Sequence, residues 1–133
     1  MKMLVTRSLA LCFAMALFSS AALAGEKGLM HCFAFTEMKD ATEDDWNAWF
    51  EATDALPEKI GGLEKVWYGK LNRPLRQYDR EGKEAYRQWG VCMLFDNTVS
   101  LEKYAEASAH DDWSEIYSKV RVPGTTTYDI LGQ

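Results

Sequence analysis

The chain has 133 residues, with 15 basic and 20 acidic side chains and a formal charge of -5. A net negative chain repels phosphate backbones and anionic headgroups, which argues against nucleic acid or a charged membrane surface as partner. The length suits one small core rather than two domains.

Lys2 and Arg7 precede an apolar run from Leu9 to Phe18, which leads into Ala22-Leu23-Ala24. That order predicts a secretory signal peptide over residues 1 to 24, because a basic start, a short apolar stretch and small residues are what the export machinery cleaves. The run is shorter than the ~20 residues of a spanning helix, so no membrane association is expected after cleavage. Removing 24 residues leaves a single domain of 109, residues 25 to 133. Losing Lys2 and Arg7 lowers the basic count from 15 to 13 and moves the charge from -5 to -7. The expected location is the periplasm or the extracellular medium.

Residues 29 to 38, LMHCFAFTEM, are apolar, aromatic and too short for a helix, and so predict a first buried strand. Thr42 with Asp45 three positions on predicts a helix start. Trp46, Trp49, Phe50, Thr53 and Leu56 then recur at spacings of three and four, which gives that helix an aromatic face. Pro57 and Gly61-Gly62 end it, and residues 63 to 71 predict a second strand. Residues 72 to 88 mix charges of both signs with Pro74 and Gly82 and lack hydrophobic periodicity, so a long solvated loop is expected. Residues 89 to 95 predict a third strand. Leu101, Tyr104 and Ala105 mark a short helix starting near Asn97 or Thr98. A further helical stretch sets Trp113, Ile116, Tyr117 and Val120 on one face, and after Pro123-Gly124 the β-branched TTTYDIL predicts the fourth strand.

The order β-α-β-β-α-β predicts an α+β, ferredoxin-like sandwich with its helices on one face of an antiparallel sheet. The other face is left bare, and a second copy related by a two-fold axis is its simplest cover. Strands one and three are expected to be parallel neighbours. If His31, Phe33 and Phe35 face the helices along with Val91, Met93 and Phe95, then Cys32 and Cys92 share the opposite face. Either a disulfide or two buried free thiols fits that placement.

The chain resembles the stress-responsive dimeric α/β-barrel (Dabb) family over nearly all of its length after the leader. The resemblance is carried by HCFAF at the first strand, ALPEKIGGLEKVWYGK, LFDN and LEKYAEASAHDDW. VWYGK and the six-residue step from Tyr104 to His110 are similar to the olivetolic acid cyclase-type proteins of that family. Many members read His-Pro-Ala-His where this chain reads Ala107-Ser108-Ala109-His110. The resemblance implies a homodimer and a site in which His110 is a general base, with Tyr104 and His31 nearby. It also implies that Trp49 and Phe50, with Phe33 and Val91, line the substrate pocket.

The chemistry suits those residue types. A neutral imidazole, with an ordinary pKa near ~6.5, accepts a proton at neutral pH, whereas a phenol near ~10 is a donor for a developing oxyanion. Together they fit proton abstraction beside a carbonyl, followed by aldol or Claisen-type ring closure. The expected ligand is a small hydrophobic or aromatic carbonyl compound, with no cofactor. A metal held by His31, His110 and Asp111 or Asp112 is not expected, because those carboxylates follow His110 at a helix start and point to solvent. Two other functions fit the same residues: a non-catalytic binder of a small hydrophobic molecule in a stress response, and a cofactor-independent monooxygenase-like activity on an aromatic ring. The bland alternative makes Tyr104 a core residue spaced helically from Leu101 and His110 merely a helix end.

Overall fold

The computed structural model describes residues 28 to 78 and 81 to 132, so the leader read at residues 1 to 24 lies outside the described residues. Strand β1 (Leu29–Glu37) leads into helix α1 (Glu43–Asp54) and the single turn α2 (Leu56–Lys59). Strands β2 (Leu63–Tyr78) and β3 (Glu84–Phe95) follow as a hairpin, then helices α3 (Thr98–Glu106) and α4 (Ser108–Tyr117), and last β4 (Arg121–Leu131). The sheet order is β2-β3-β1-β4. Every neighbouring pair is antiparallel.

Local chemistry explains the helix ends. The Thr42 side chain accepts from the Asp45 backbone N–H while Asp45 reaches back to the Thr42 backbone, so two otherwise orphaned donors are satisfied. The helix expected to run through Leu56 is divided at Ala55, and Pro57 opens the short α2, where a missing N–H costs nothing. Trp49 and Thr53 of α1 and Leu56 of α2 are fully buried against the sheet. The Thr53 hydroxyl donates to the Trp49 carbonyl at 2.6 Å and accepts from the Trp113 indole N–H at 2.9 Å, which ties α1 to α4.

Strand β1 is central and buried on both sides. Leu29, Phe33 and Phe35 pack beneath the helices with Val91, Met93 and Phe95 of β3, and Cys32 and Ala34 lie on the other face. Across that second face Ala34, Gly90 and Gly69 stand side by side and leave a shallow trough. Leu71 closes over it, so near that a Cβ at Gly90 would lie 2.7 Å from its methyl group.

Two expectations are corrected. Residues 72 to 88 are largely strand rather than loop: β2 and β3 stay paired from Leu75↔Arg87 to Tyr78↔Glu84, after a register shift between Lys70 and Leu75. This arm exposes most of its side chains, so it shows none of the apolar alternation that marks a half-buried strand. It is held by an Arg76–Glu84 ion pair at 3.0 Å and by the Gln77 amide, which donates to the Thr126 hydroxyl of β4. Strands β1 and β3 are antiparallel, not parallel, because the helical connection through α1 and α2 leaves β2 parallel to β1 and the hairpin then reverses β3.

That direction sets Cys32 directly opposite Cys92, with Cα atoms 4.1 Å apart, and the two are joined by a disulfide on the helix-free face. The bridge spans 60 residues of sequence, a loop whose closure restricts the unfolded chain by about 4 kcal/mol. Urea unfolding of the chain from residue 25 should therefore show the double substitution Cys32→Ala/Cys92→Ala to be about 4 kcal/mol less stable. Two titratable thiols in the denatured, unreduced parent would contradict the bridge.

Candidate active site

A cavity of about 270 Å³ lies between α4 and the helix-facing side of β1 and β4. His31 and Phe33 form its floor, Tyr104, His110, Trp113, Ser114 and Tyr117 its wall, and Arg121, Thr125 and Thr127 its β4 side. The three residues expected to act, His31, Tyr104 and His110, are thus brought together. Tyr104 neighbours both imidazoles, with ring centroids 4.5 Å from His110 and 6.3 Å from His31.

Each is placed by a simple local rule. His31 shares the alternation of Leu29, Phe33 and Phe35, and so points under the helices from the central strand. Tyr104 is the buried residue of α3. The chain then breaks at Ala107, which has extended backbone angles (φ -77, ψ 136) and serves both as the end of α3 and the start of α4. His110 therefore sits in the first turn of a new helix rather than at the end of an old one, its N–H bonded to the Ala107 carbonyl at 2.9 Å.

The surroundings set the protonation. Burial pushes the His110 imidazole below its ordinary pKa, with Asp111 opposing and His31 reinforcing the shift. Burial also pushes the Tyr104 phenol well above its ordinary range, as it does for Tyr117. Both groups are accordingly held neutral. Nε2 of His110 lies 3.4 Å from Ser114 Oγ, while its buried Nδ1 has no partner. His31 Nδ1 is 2.6 Å from the Asp129 carboxylate, directly opposite it in the β1 and β4 register. A carboxylate at Nδ1 accepts an N–H there, which holds the ring's orientation.

The expected pocket lining is met in part. Phe33 borders the cavity, but Trp49, Phe50 and Val91 do not. Trp49 and Phe50 belong to a neighbouring aromatic cluster with Trp46, Tyr68 and Trp89, and Tyr117 stands between that cluster and the cavity, 5.6 Å from Phe33 and 6.3 Å from Trp49. Val91 is buried in the core. Asp129, Ser114, Arg121 and the two threonines were not expected at the site. Alternation within TTTYDIL sets Thr125, Thr127 and Asp129 on one strand face and so holds a signal for three of them. Among the described residues, no group of three or more metal-ligating side chains is assembled.

A larger hollow of about 360 Å³ lies on the other face of the sheet, between Trp67, Leu71, Leu75 and Tyr128. It is mainly apolar and contains no histidine, so the histidine cavity is the one equipped for proton transfer.

The sequence matches no family model and no curated protein. Solved structures are similar in fold. A dimeric protein of unknown function with a ferredoxin-like fold from Bacteroides fragilis aligns at TM-score 0.58 and 20% identity, covering 78% of this chain and 95% of that one. A Dabb family protein with a ferredoxin-like fold from Mesorhizobium loti aligns at TM-score 0.55 and 15% identity, covering 81% and 99%. The hydroxynitrile lyase of Passiflora edulis aligns at TM-score 0.61 and 6% identity, covering 80% and 94%. The fold is ferredoxin-like, as it is in that Dabb family protein.

The His31–Asp129 contact makes a prediction independent of any substrate. Nitrogen NMR of the neutral His31 ring should report the Nδ1–H tautomer, and Asp129→Ala should shift the population toward Nε2–H; an Nε2–H ring in the parent would refute the pairing.

Proposed function

We propose that this chain is an exported Dabb-type protein that acts as a cofactor-independent lyase or cyclase on a carbonyl compound, with His110 as general base. The observation that carries the reading is the convergence on one cavity of two imidazoles and a buried phenol, with His31 anchored by Asp129. Support also comes from the similarity of the Tyr104-to-His110 segment to olivetolic acid cyclase-type proteins, and from a scaffold of this kind serving a hydroxynitrile lyase in Passiflora edulis.

The unprotonated ring nitrogen of the neutral His110 takes a proton from the carbon next to the substrate carbonyl, and the C–H electron pair moves to form an enolate. Tyr104, kept protonated by burial, donates to the enolate oxygen. His31, its Nδ1–H held by Asp129, accepts from a substrate hydroxyl or enol through Nε2 and orients the chain. The enolate carbon then attacks a second carbonyl; a C–C bond forms, and the proton on His110 passes to the resulting alkoxide. The reverse sequence is a lyase reaction.

The domain after the leader, residues 25 to 133, is proposed to work as a homodimer in a stress response. Trp67, Tyr128 and Ile130 on the helix-free side of the sheet are 46%, 49% and 56% exposed, an apolar face suited to a second copy. Solved structures of like fold are described as dimeric.

Deuterium exchange into the α-carbons of a panel of poly-β-keto and aromatic ketones tests the chemistry without knowledge of the product. Exchange should fall about 100-fold or more in His110→Ala and about 10-fold or more in Tyr104→Phe. Its acid limb should have a midpoint below ~6.5, because a depressed imidazole stays unprotonated to lower pH. Ligand binding that persists in both variants, with no exchange in any, would instead make the protein a non-catalytic binder; oxygen consumption would point to the monooxygenase reading.

Protein recovered from an exporting host should begin at Gly25 and scatter light at twice the mass of one chain, with Trp67→Asp reduced to a single chain. An intact Met1 or a monomeric parent would overturn export or dimerisation respectively.

A further inference from the structure

The histidines occupy one end of the cavity, and its other end is built differently. Arg121 enters from β4, stacks its guanidinium 4.7 Å from the centre of the Tyr117 ring, and buries its Nε without any partner. Tyr117 is only 5% exposed, and its buried hydroxyl also lacks a partner. Buried donors are almost always paired, and leaving one unpaired costs on the order of a hydrogen bond. Two at one end of one cavity therefore mark a place where a ligand supplies the acceptors.

The sign of that ligand follows from the donors. A guanidinium presents N–H groups and a fixed positive charge, the stacked phenol presents an O–H, and Thr125 and Thr127 add hydroxyls 3.5 Å apart on the same strand face. The competing carboxylate is already engaged: Glu37, opposite Arg121 in the strand register, accepts from the Trp89 indole at 2.9 Å and lies 3.8 Å from the Lys70 ammonium.

We infer that Arg121 and the Tyr117 hydroxyl form an anion subsite, and that the substrate is a carbonyl compound bearing a carboxylate at the end remote from its reacting carbon. This rests on the histidine-end chemistry proposed above and adds the substrate class to it. A carboxylate at Arg121 would seat the carbonyl end toward Tyr104 and His110, so the charge would act as an anchor that sets which carbon meets the base. In a chain whose overall charge is -5, affinity for an anion must come from such local donors rather than from the long-range field.

The test uses 4-acetylbenzoate and its neutral isostere 4-acetylbenzamide, which share size and an enolisable acetyl group. Calorimetry should give the parent at least about a tenfold preference for the anion, the factor one charge-assisted hydrogen bond supplies. Arg121→Gln should abolish the preference while retaining affinity for the amide, and Arg121→Lys should keep part of it. In the parent itself the Arg121 Nε–H resonance should move on adding the benzoate and not the benzamide, which makes the result independent of how well either variant folds. Equal affinities, no binding of the benzoate at millimolar concentration, or a preference unchanged in Arg121→Gln would each overturn the subsite. Exchange at the acetyl carbon is scored separately, so anion preference without exchange leaves the subsite standing and removes the proposed catalysis, and the converse does the opposite.

Discussion

The candidate site depends on the register of β1 between its two antiparallel neighbours. Strand alternation allows no intermediate setting: a slip of one residue would turn His31 to the helix-free face and bring Cys32 under the helices. The observed register does several things at once. It sets His31 opposite Asp129, Cys32 opposite Cys92, and Phe33 beneath α4. The apolar residues on either side of His31 give the register its energy, since Leu29, Phe33 and Phe35 are each at most 6% exposed and a slip would expose all three. A polar residue in that row would ordinarily weaken it. Asp129 satisfies the imidazole nitrogen that faces β4, so the strand can hold a titratable group without leaving it unpaired.

The second support is the break between α3 and α4. A continuous helix through Ala107 would carry Tyr104 and His110 six positions, or about 600° of helical rotation, apart, on faces well separated from one another. The extended backbone at Ala107 resets the direction, and the two rings meet at 4.5 Å. Trp113, one turn further along α4, is then pinned by Thr53 and closes the wall. The short stretch between the two helices is therefore what converts a sequence spacing into a contact.

The strands and the capped first helix are legible because each leaves a local mark, an apolar run or a Thr with Asp three on, whereas the grouping of His31 with Tyr104 and His110 is legible only through the family resemblance. The arm formed by residues 72 to 78 and 84 to 88 is not, because a strand with both faces in solvent carries no alternation. The direction of β3 follows from two connections together: the helical crossover leaves β2 parallel to β1, and the hairpin then turns β3 against both. Trp49 and Phe50 were assigned to the pocket through likeness alone, and helix periodicity says only that they are buried, not on which side of Tyr117 they fall. Asp129 and Arg121 could not be joined to the histidines by any local signal. Their partners lie 98 residues away for Asp129 and, for Arg121, one ring stacking on Tyr117 across a turn.

Burial acts on His110 and Tyr104 with one cause and two consequences. Excluding water penalises whichever form is charged, so the imidazole loses its proton more readily and the phenol holds its proton more firmly. The first change leaves His110 with a free lone pair, as the proposed base needs; the second leaves Tyr104 with its O–H, as the proposed donor needs. A wall built from Phe33, Phe95 and Trp113 thus favours the neutral form of both groups, as the proposed enolisation requires, and it widens the range of pH over which they coexist, lowering its acid edge and raising its alkaline one. His31 lies against a carboxylate, Asp129, that is 46% exposed. The cavity therefore grades from an imidazole beside a solvent-exposed carboxylate to a drier pair of neutral rings, so a polar group entering it meets progressively less competition from water.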